Sequence, residues 1–138
     1  MSGISQPTTL VAKNFSSNIT GNKITRTSVA ADTALSAAQL VSGLLVVDTS
    51  VAGRTITFPV ASTFKTALES QGIKFEVGYL GSMVIANSPG GNAVTIAVAG
   101  GGTIVAPAAT GIATTITRTI YYYVANADPT QANSVLLY

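Results

Sequence analysis

From Leu44 to Tyr138 the apolar residues of this chain come in short runs, and nearly every run stops at glycine, proline, asparagine or aspartate. Runs of that length bounded by turn residues read as strands, because a helix needs a longer periodic stretch to bury one face. Leu44–Thr49 is a continuous Leu/Val run and fits a strand buried on both faces. Thr55-Ile56-Thr57-Phe58 alternates with period two and is stopped by Pro59. Ile73–Leu80 alternates Ile73, Phe75 and Val77 with Lys74 and Glu76, which predicts a strand with one dry and one wet face. Ser82–Asn87 follows after Gly81, and Ser88-Pro89-Gly90-Gly91-Asn92 is a turn signal. Ala93–Ala99 alternates again, and Gly100-Gly101-Gly102 breaks it at a loop tip. Thr103–Ala106 is a short strand, Ile112–Asn126 a long one, and Ser134–Tyr138 lies beyond the Asp128-Pro129 turn.

Two segments break this rhythm. Asp32–Gly43 reads as a short helix that Asp32, Thr33 or Ser36 would cap. Val60–Gln71 reads as a helix with Phe64, Ala67 and Leu68 on one stripe, Ser62 as its cap and Gly72 just past its end. About eight strands with turns every eight to twelve residues, plus two short helices, predict an all-β fold: an antiparallel β-sandwich, jelly-roll-like.

Residues 1–28 differ from the rest. They are rich in Ser, Thr, Asn and Gly, with isolated apolar residues at Ile4, Leu10, Val11, Phe15, Ile19 and Ile24. That density is too low to close a core. The segment is expected to be an extended N-terminal arm, with residues 29–138 as the β-sandwich domain. The glycosylation-like triplets at Asn14 and Asn18 are read as chance in such a composition.

Composition limits the function classes. Charged residues are 9% of the chain, against about 25% in an ordinary soluble domain. A neutral polar surface self-associates readily. The seven Lys and Arg stand singly at 13, 23, 26, 54, 65, 74 and 118, so none of them clusters to follow a nucleic-acid backbone. There is no His and no Cys, which excludes a Cys/His zinc site and any disulfide. The five carboxylates, Asp32, Asp48, Glu69, Glu76 and Asp128, are dispersed. Asp48 and Glu76 could meet as a pair, but a turn role for one and a solvated role for the other are preferred. No serine sits in a nucleophile elbow, and the triple glycine has no following Lys-Ser/Thr to make it a phosphate loop. The chain is expected not to be an enzyme, with no catalytic, cofactor-binding or metal-binding residues. It shows no signal peptide and no apolar run approaching the roughly 20 residues of a membrane helix, so no membrane partner is expected.

Tyr121-Tyr122-Tyr123 is the most unusual local feature. In a strand, Tyr121 and Tyr123 point one way and Tyr122 the other. Core or edge packing, a subunit interface and ligand stacking all suit such residues. The candidate interface is therefore Leu10, Val11, Phe15 and Ile19 of the arm together with Tyr121, Tyr122 and Tyr123.

The order of segments carries a resemblance. Leu35-Ser36-Ala37-Ala38-Gln39-Leu40 leads to an apolar strand, and Thr55-Ile56-Thr57-Phe58-Pro59 leads to an Ala-containing helix. Val77-Gly78 precedes an apolar strand ending at Asn87, the run from Ala93 to Thr103 follows, and Val135-Leu136-Leu137-Tyr138 closes the stretch. This order resembles the small β-sandwich proteins that decorate the capsids of tailed phages and large DNA viruses or form their head-fibre knobs. Tyr79-Leu80-Gly81 departs from that pattern, in which Asp or Ser follows Val-Gly. The resemblance implies a virion structural protein made in the host cytoplasm: a capsid-decorating, minor capsid or fibre-head subunit. Its implied partners are other copies of itself, as a homotrimer, and a major capsid protein. The rival expectation is a receptor- or carbohydrate-binding module that takes a host-surface glycan around Asn87–Asn92 or Tyr121–Tyr123.

Overall fold

The computed structural model describes residues 24–138. The chain forms two packed β-sheets with two helices, which is a β-sandwich. The strands are β1 (Thr25–Val29), β2 (Thr33–Ala34), β3 (Gly43–Val47), β4 (Arg54–Phe58), β5 (Leu80–Asn87), β6 (Val94–Val98), β7 (Ile104–Val105), β8 (Gly111–Ile112), β9 (Thr117–Val124) and β10 (Val135–Leu137). The helices are α1 (Ala37–Leu40) and α2 (Ala61–Ser70). One sheet has six strands in the order β1-β3-β5-β9-β10-β7, and the other has four in the order β2-β4-β6-β8.

The winding differs from the expected jelly roll. From β1 to β8 successive strands alternate between the two sheets, and among β1 to β6 the sheet neighbours are two strands apart in sequence and run parallel. Antiparallel pairing holds only for β5–β9, β9–β10 and β6–β8, and β7–β10 is again parallel. A parallel pair needs a crossover, and here the crossover is a strand of the opposite sheet. The loops after β1, β3 and β5 consequently gather at one end of the sandwich, and α1 and α2 lie at the other.

Alternation places the core. Leu45 and Val47 of β3, Met83 and Ile85 of β5, and Ile120, Tyr122 and Val124 of β9 face inward with Ile56, Phe58, Val94 and Ile96 of the smaller sheet. Leu40 of α1 and Phe64 and Leu68 of α2 close the helical end. Phe64 lies 6.3 Å from Phe58 and meets the Tyr122 ring edge-on at 5.2 Å.

The helices are where sequence reasoning was part right. Helix α1 is shorter than expected, because Thr33 and Ala34 pair with β4. Its cap is Ser36, in a reciprocal box with Gln39: the Ser36 hydroxyl accepts from the Gln39 N–H, and the Gln39 side chain accepts from the Ser36 N–H. Helix α2 has no cap from its own residues; Ser62 lies inside it, and the Ala61 N–H donates instead to Thr103 Oγ1 at 3.1 Å. Its C-terminus ends as read, on Gly72 at φ +73°. The Gly72 and Ile73 N–H groups return to the Glu69 and Leu68 carbonyls, each at 3.0 Å.

Two further expectations are corrected. Residues 73–79 form no strand. Phe75 is buried, but Val77 is exposed, so the dry face seen in the sequence does not persist. The Gly78 N–H bonds the Val124 carbonyl and the Tyr79 N–H the Glu76 carbonyl, which makes this stretch a turn-bearing connection rather than a ladder. The boundary at residue 28 falls inside β1, whose Thr25–Val29 pair with Gly43–Val47.

Gly81 shows how tightly β5 and β9 are matched. It lies opposite Tyr122, and a Cβ placed on it would stand 2.2 Å from the Tyr122 ring. Gly81→Ala is expected to destabilise the fold by about 2 kcal/mol through overpacking. In a Tyr122→Ala background the same change should cost clearly less, and urea unfolding of the four proteins measures that coupling.

Candidate interaction surface

The two sheets present opposite chemistry to the outside. On the four-stranded sheet the outward positions of β4 and β6 are Thr55, Thr57, Thr95 and Ala97. On the six-stranded sheet, strand register sets out four outward rows. Val105, Leu136, Tyr123 and Leu80 form the first, and Tyr138, Tyr121 and Ser82 the second. Thr119, Val84, Leu44 and Arg26 form the third, and Thr117, Ala86, Val46 and Ser28 the fourth. Arg26, on edge strand β1, is the one charge among these positions. Leu80 is 57% exposed, Tyr138 59% and Tyr121 46%. No described helix lies on this face, since the buried residues of α1 and α2 join the core between the sheets.

The continuous run Leu44–Val47 was expected to be buried on both sides. Leu45 and Val47 are buried, whereas Leu44 and Val46 are only half-buried on the outer face. Val84 and Ala86 of β5 have the same position. Sequence of that kind belongs in strands covered on both faces, and here one face has no cover among the described residues.

At the helical end a cleft of about 610 Å³ opens between the starts of β3 and β5. Ser42, Gly43, Gln71, Tyr79, Gly81, Ser82 and Tyr122 line it together with the aliphatic Ile24, Leu40, Val41, Leu68, Ile73, Leu80 and Val84, and no lining residue is charged. Gly81 lies directly against the Tyr122 ring on this side. Burial pushes the Tyr122 hydroxyl up to about 12, with the neighbouring Tyr79 adding to the shift.

The sequence-derived candidates divide. Tyr121 and Tyr123 lie on the outer face, whereas Tyr122 is 5% exposed in the core and contributes only to the cleft. Leu10, Val11, Phe15 and Ile19 lie outside the described residues. The loop Asn87–Asn92 does not offer its amides to a ligand. Asn87 is buried, and its Nδ2 donates to the carbonyls of Asn92, Ile112 and Ala113. Its Oδ1 accepts from the Thr49 hydroxyl at 2.6 Å, and Asn92 Nδ2 donates to the Thr49 carbonyl at 2.8 Å. These groups tie together the loops that cross between sheets. Sequence reasoning missed the role of Thr49; a threonine ending an apolar run before a turn was the available signal.

The carboxylates serve local structure. Asp48 Oδ1 accepts from the Ser50 hydroxyl and N–H, which hold its carboxyl below the usual range. Asp128 does the same with the Thr130 hydroxyl and N–H. Asp32 accepts from the Thr55 N–H, and Glu69 and Glu76 lie 3.8 Å from Lys65 and Lys74 at exposed sites. No group of three potential metal ligands occurs among the described residues, and no described helix is long and apolar enough to cross a membrane.

Comparison with known protein families, characterised proteins and solved structures finds no match for this chain.

Asn87→Ala would remove the side-chain donor to the Ile112 and Ala113 carbonyls and leave the Thr49 hydroxyl the Asn92 carbonyl as its acceptor. It is expected to cost about 3 kcal/mol in urea unfolding, against less than about 0.5 kcal/mol for Thr95→Ala on the exposed face. Tyr122 sets an alkaline limit. Its folded pKa lies above its ordinary value of 10.0, so its contribution to stability is whole below about pH 10 and is lost as pH rises towards about 12. Unfolding midpoints measured across that window should fall less steeply for Tyr122→Phe than for the unaltered chain.

Proposed function

We propose that this chain is a virion structural protein, a capsid-decorating, minor capsid or fibre-head subunit that acts by protein–protein assembly. The observation that carries the reading is the outer face of the six-stranded sheet. Aliphatic and aromatic residues predominate on it, with Ser82, Thr119, Thr117 and Ser28 between them and Arg26 as its one charge, while the opposite face of the sandwich carries threonine. Contiguous apolar surface on that scale marks a site of association. Water release from such a face stabilises contact without salt bridges, which suits a chain with 9% charged residues. The segment order at 35–40, 55–59, 93–103 and 135–138 supplies the class of assembly, and with it a major capsid protein as partner and three copies as the implied oligomer. On this reading the described carboxylates hold turns and exposed ion pairs and perform no chemistry.

The arm supplies the second contact. Its sparse apolar residues Leu10, Val11, Phe15 and Ile19 would anchor the subunit on the particle. Deletion of residues 1–23 keeps β1 in its sheet, so the shortened chain is expected to fold with an unchanged far-ultraviolet spectrum and to lose binding to capsids of its parent particle in co-sedimentation. Full-strength binding by the shortened chain would refute the arm's role.

A receptor- or carbohydrate-binding role is the second reading. The uncharged cleft favours it, because Tyr79 and Tyr122 rings beside the Gln71 amide and the Ser42 and Ser82 hydroxyls suit a neutral polyhydroxyl ligand. A glycan array without signal above background would dismiss it.

A further inference from the structure

We infer that the outer face of the six-stranded sheet is the contact between two copies of this chain, packed sheet on sheet about a two-fold axis. The inference rests on the assembly reading's premise that the chain self-associates, and it puts a two-fold pair in place of the three-copy oligomer that the segment order implies.

The starting point is a mismatch between sequence and cover. Strands β3 and β5 are parallel neighbours, and their central residues are apolar on both faces. Strands of that composition have both faces covered, yet Leu44 and Val84 meet no covering element among the described residues. Tyr121 and Tyr138 continue the surface across β9 and β10, where their backbones exchange hydrogen bonds at 3.1 and 2.9 Å.

Charge decides the kind of partner. A two-fold contact sets a face against its own image, so any charge near its centre would meet a like charge. This face avoids that: its one charged position, Arg26, stands on the edge strand. A partner recognised by opposite charge would find nothing to pair with. Size fits as well. Six strands about 4.8 Å apart and four rows of alternate residues span about 24 Å by about 20 Å, or on the order of 500 Å² per copy. Two copies would bury about 1,000 Å², close to the lower bound of specific interfaces. Aligned sheets pack about 10 Å apart with interleaved side chains, and half-exposed Leu, Val and Tyr supply such side chains.

The test uses the full chain. Light scattering after size exclusion at micromolar concentration should give the mass of two chains. Val84→Lys, which puts like charges opposite each other across the axis, should weaken association by roughly tenfold or more, whereas Thr95→Lys on the other sheet should leave the mass unchanged. Circular dichroism checks that both variants fold. Because the chain has no cysteine, Ser82→Cys with a short bismaleimide gives an independent readout: a covalent dimer is expected, and none from Thr95→Cys. A monomer at these concentrations, a mass of three chains, a dimer indifferent to Val84→Lys, or equal cross-linking from both cysteines would overturn the inference. So would dimerisation that appears only after residues 1–23 are deleted, which would assign the face to the chain's own N-terminal segment. Particle binding is read separately, so loss of this inference and loss of the virion reading give different results.

Discussion

Backbone polar groups at the sheet-to-sheet crossings are the constraint on which this fold depends. In a hairpin meander each strand hands its hydrogen bonds to the next through a tight turn. Here β1 to β8 alternate between sheets, and each crossing takes the chain out of its ladder near the end of the core. Buried N–H and C=O groups left there would each cost about 1–3 kcal/mol. At one end Asn87, Thr49 and Asn92 satisfy them with side-chain amides and a hydroxyl reaching across three loops. At the other end the helices do so with their own backbone bonds, and Thr103 caps α2 from a different segment. The sandwich is therefore held by apolar burial in the middle and by side-chain and helix-end hydrogen bonds at both ends, with Arg54 Nε left buried and unpaired among the described residues.

Much of the fold was legible because period-two alternation and turn residues report strands directly. Thr55–Phe58 and Val94–Val98 sit close to where their patterns put them, and α2 ends on the glycine that marked it. Pairing direction was not legible. A strand alternates its side chains in the same way whether its neighbour runs parallel or antiparallel, and the crossover that distinguishes the two is here another strand rather than a long helix. Residues 73–77 misled for a related reason. Their alternation is real, but Phe75 is held by the core while the backbone around it bonds into turns.

The surface was legible only in part. Low charge predicts a chain that associates, and the Tyr121–Tyr123 run lies on a strand of the nearly uncharged outer face. Composition alone could not sort Tyr122 into the core and its two neighbours onto the outer face; that required register against Gly81. Nor could it reveal that two runs apolar on both sides would lie next to each other in one sheet and leave an apolar face with no cover among the described residues. The Asn87 amide, attractive as a ligand group in sequence, is spent on the protein's own carbonyls.

Strand order also has a consequence for how the chain acquires its structure during synthesis. β1 to β6 can be laid down in the order they are made, each new strand docking beside one already in place. The last part of the larger sheet cannot. β7 touches only β10 within its sheet, and β10 needs β9, which is itself made after β7. Ile104 and Val105 must therefore wait without a ladder partner until residues 135–137 have left the ribosome. β9 can dock on β5 as soon as it is made, so the larger sheet closes in a late step that seats β10 and, beside it, β7.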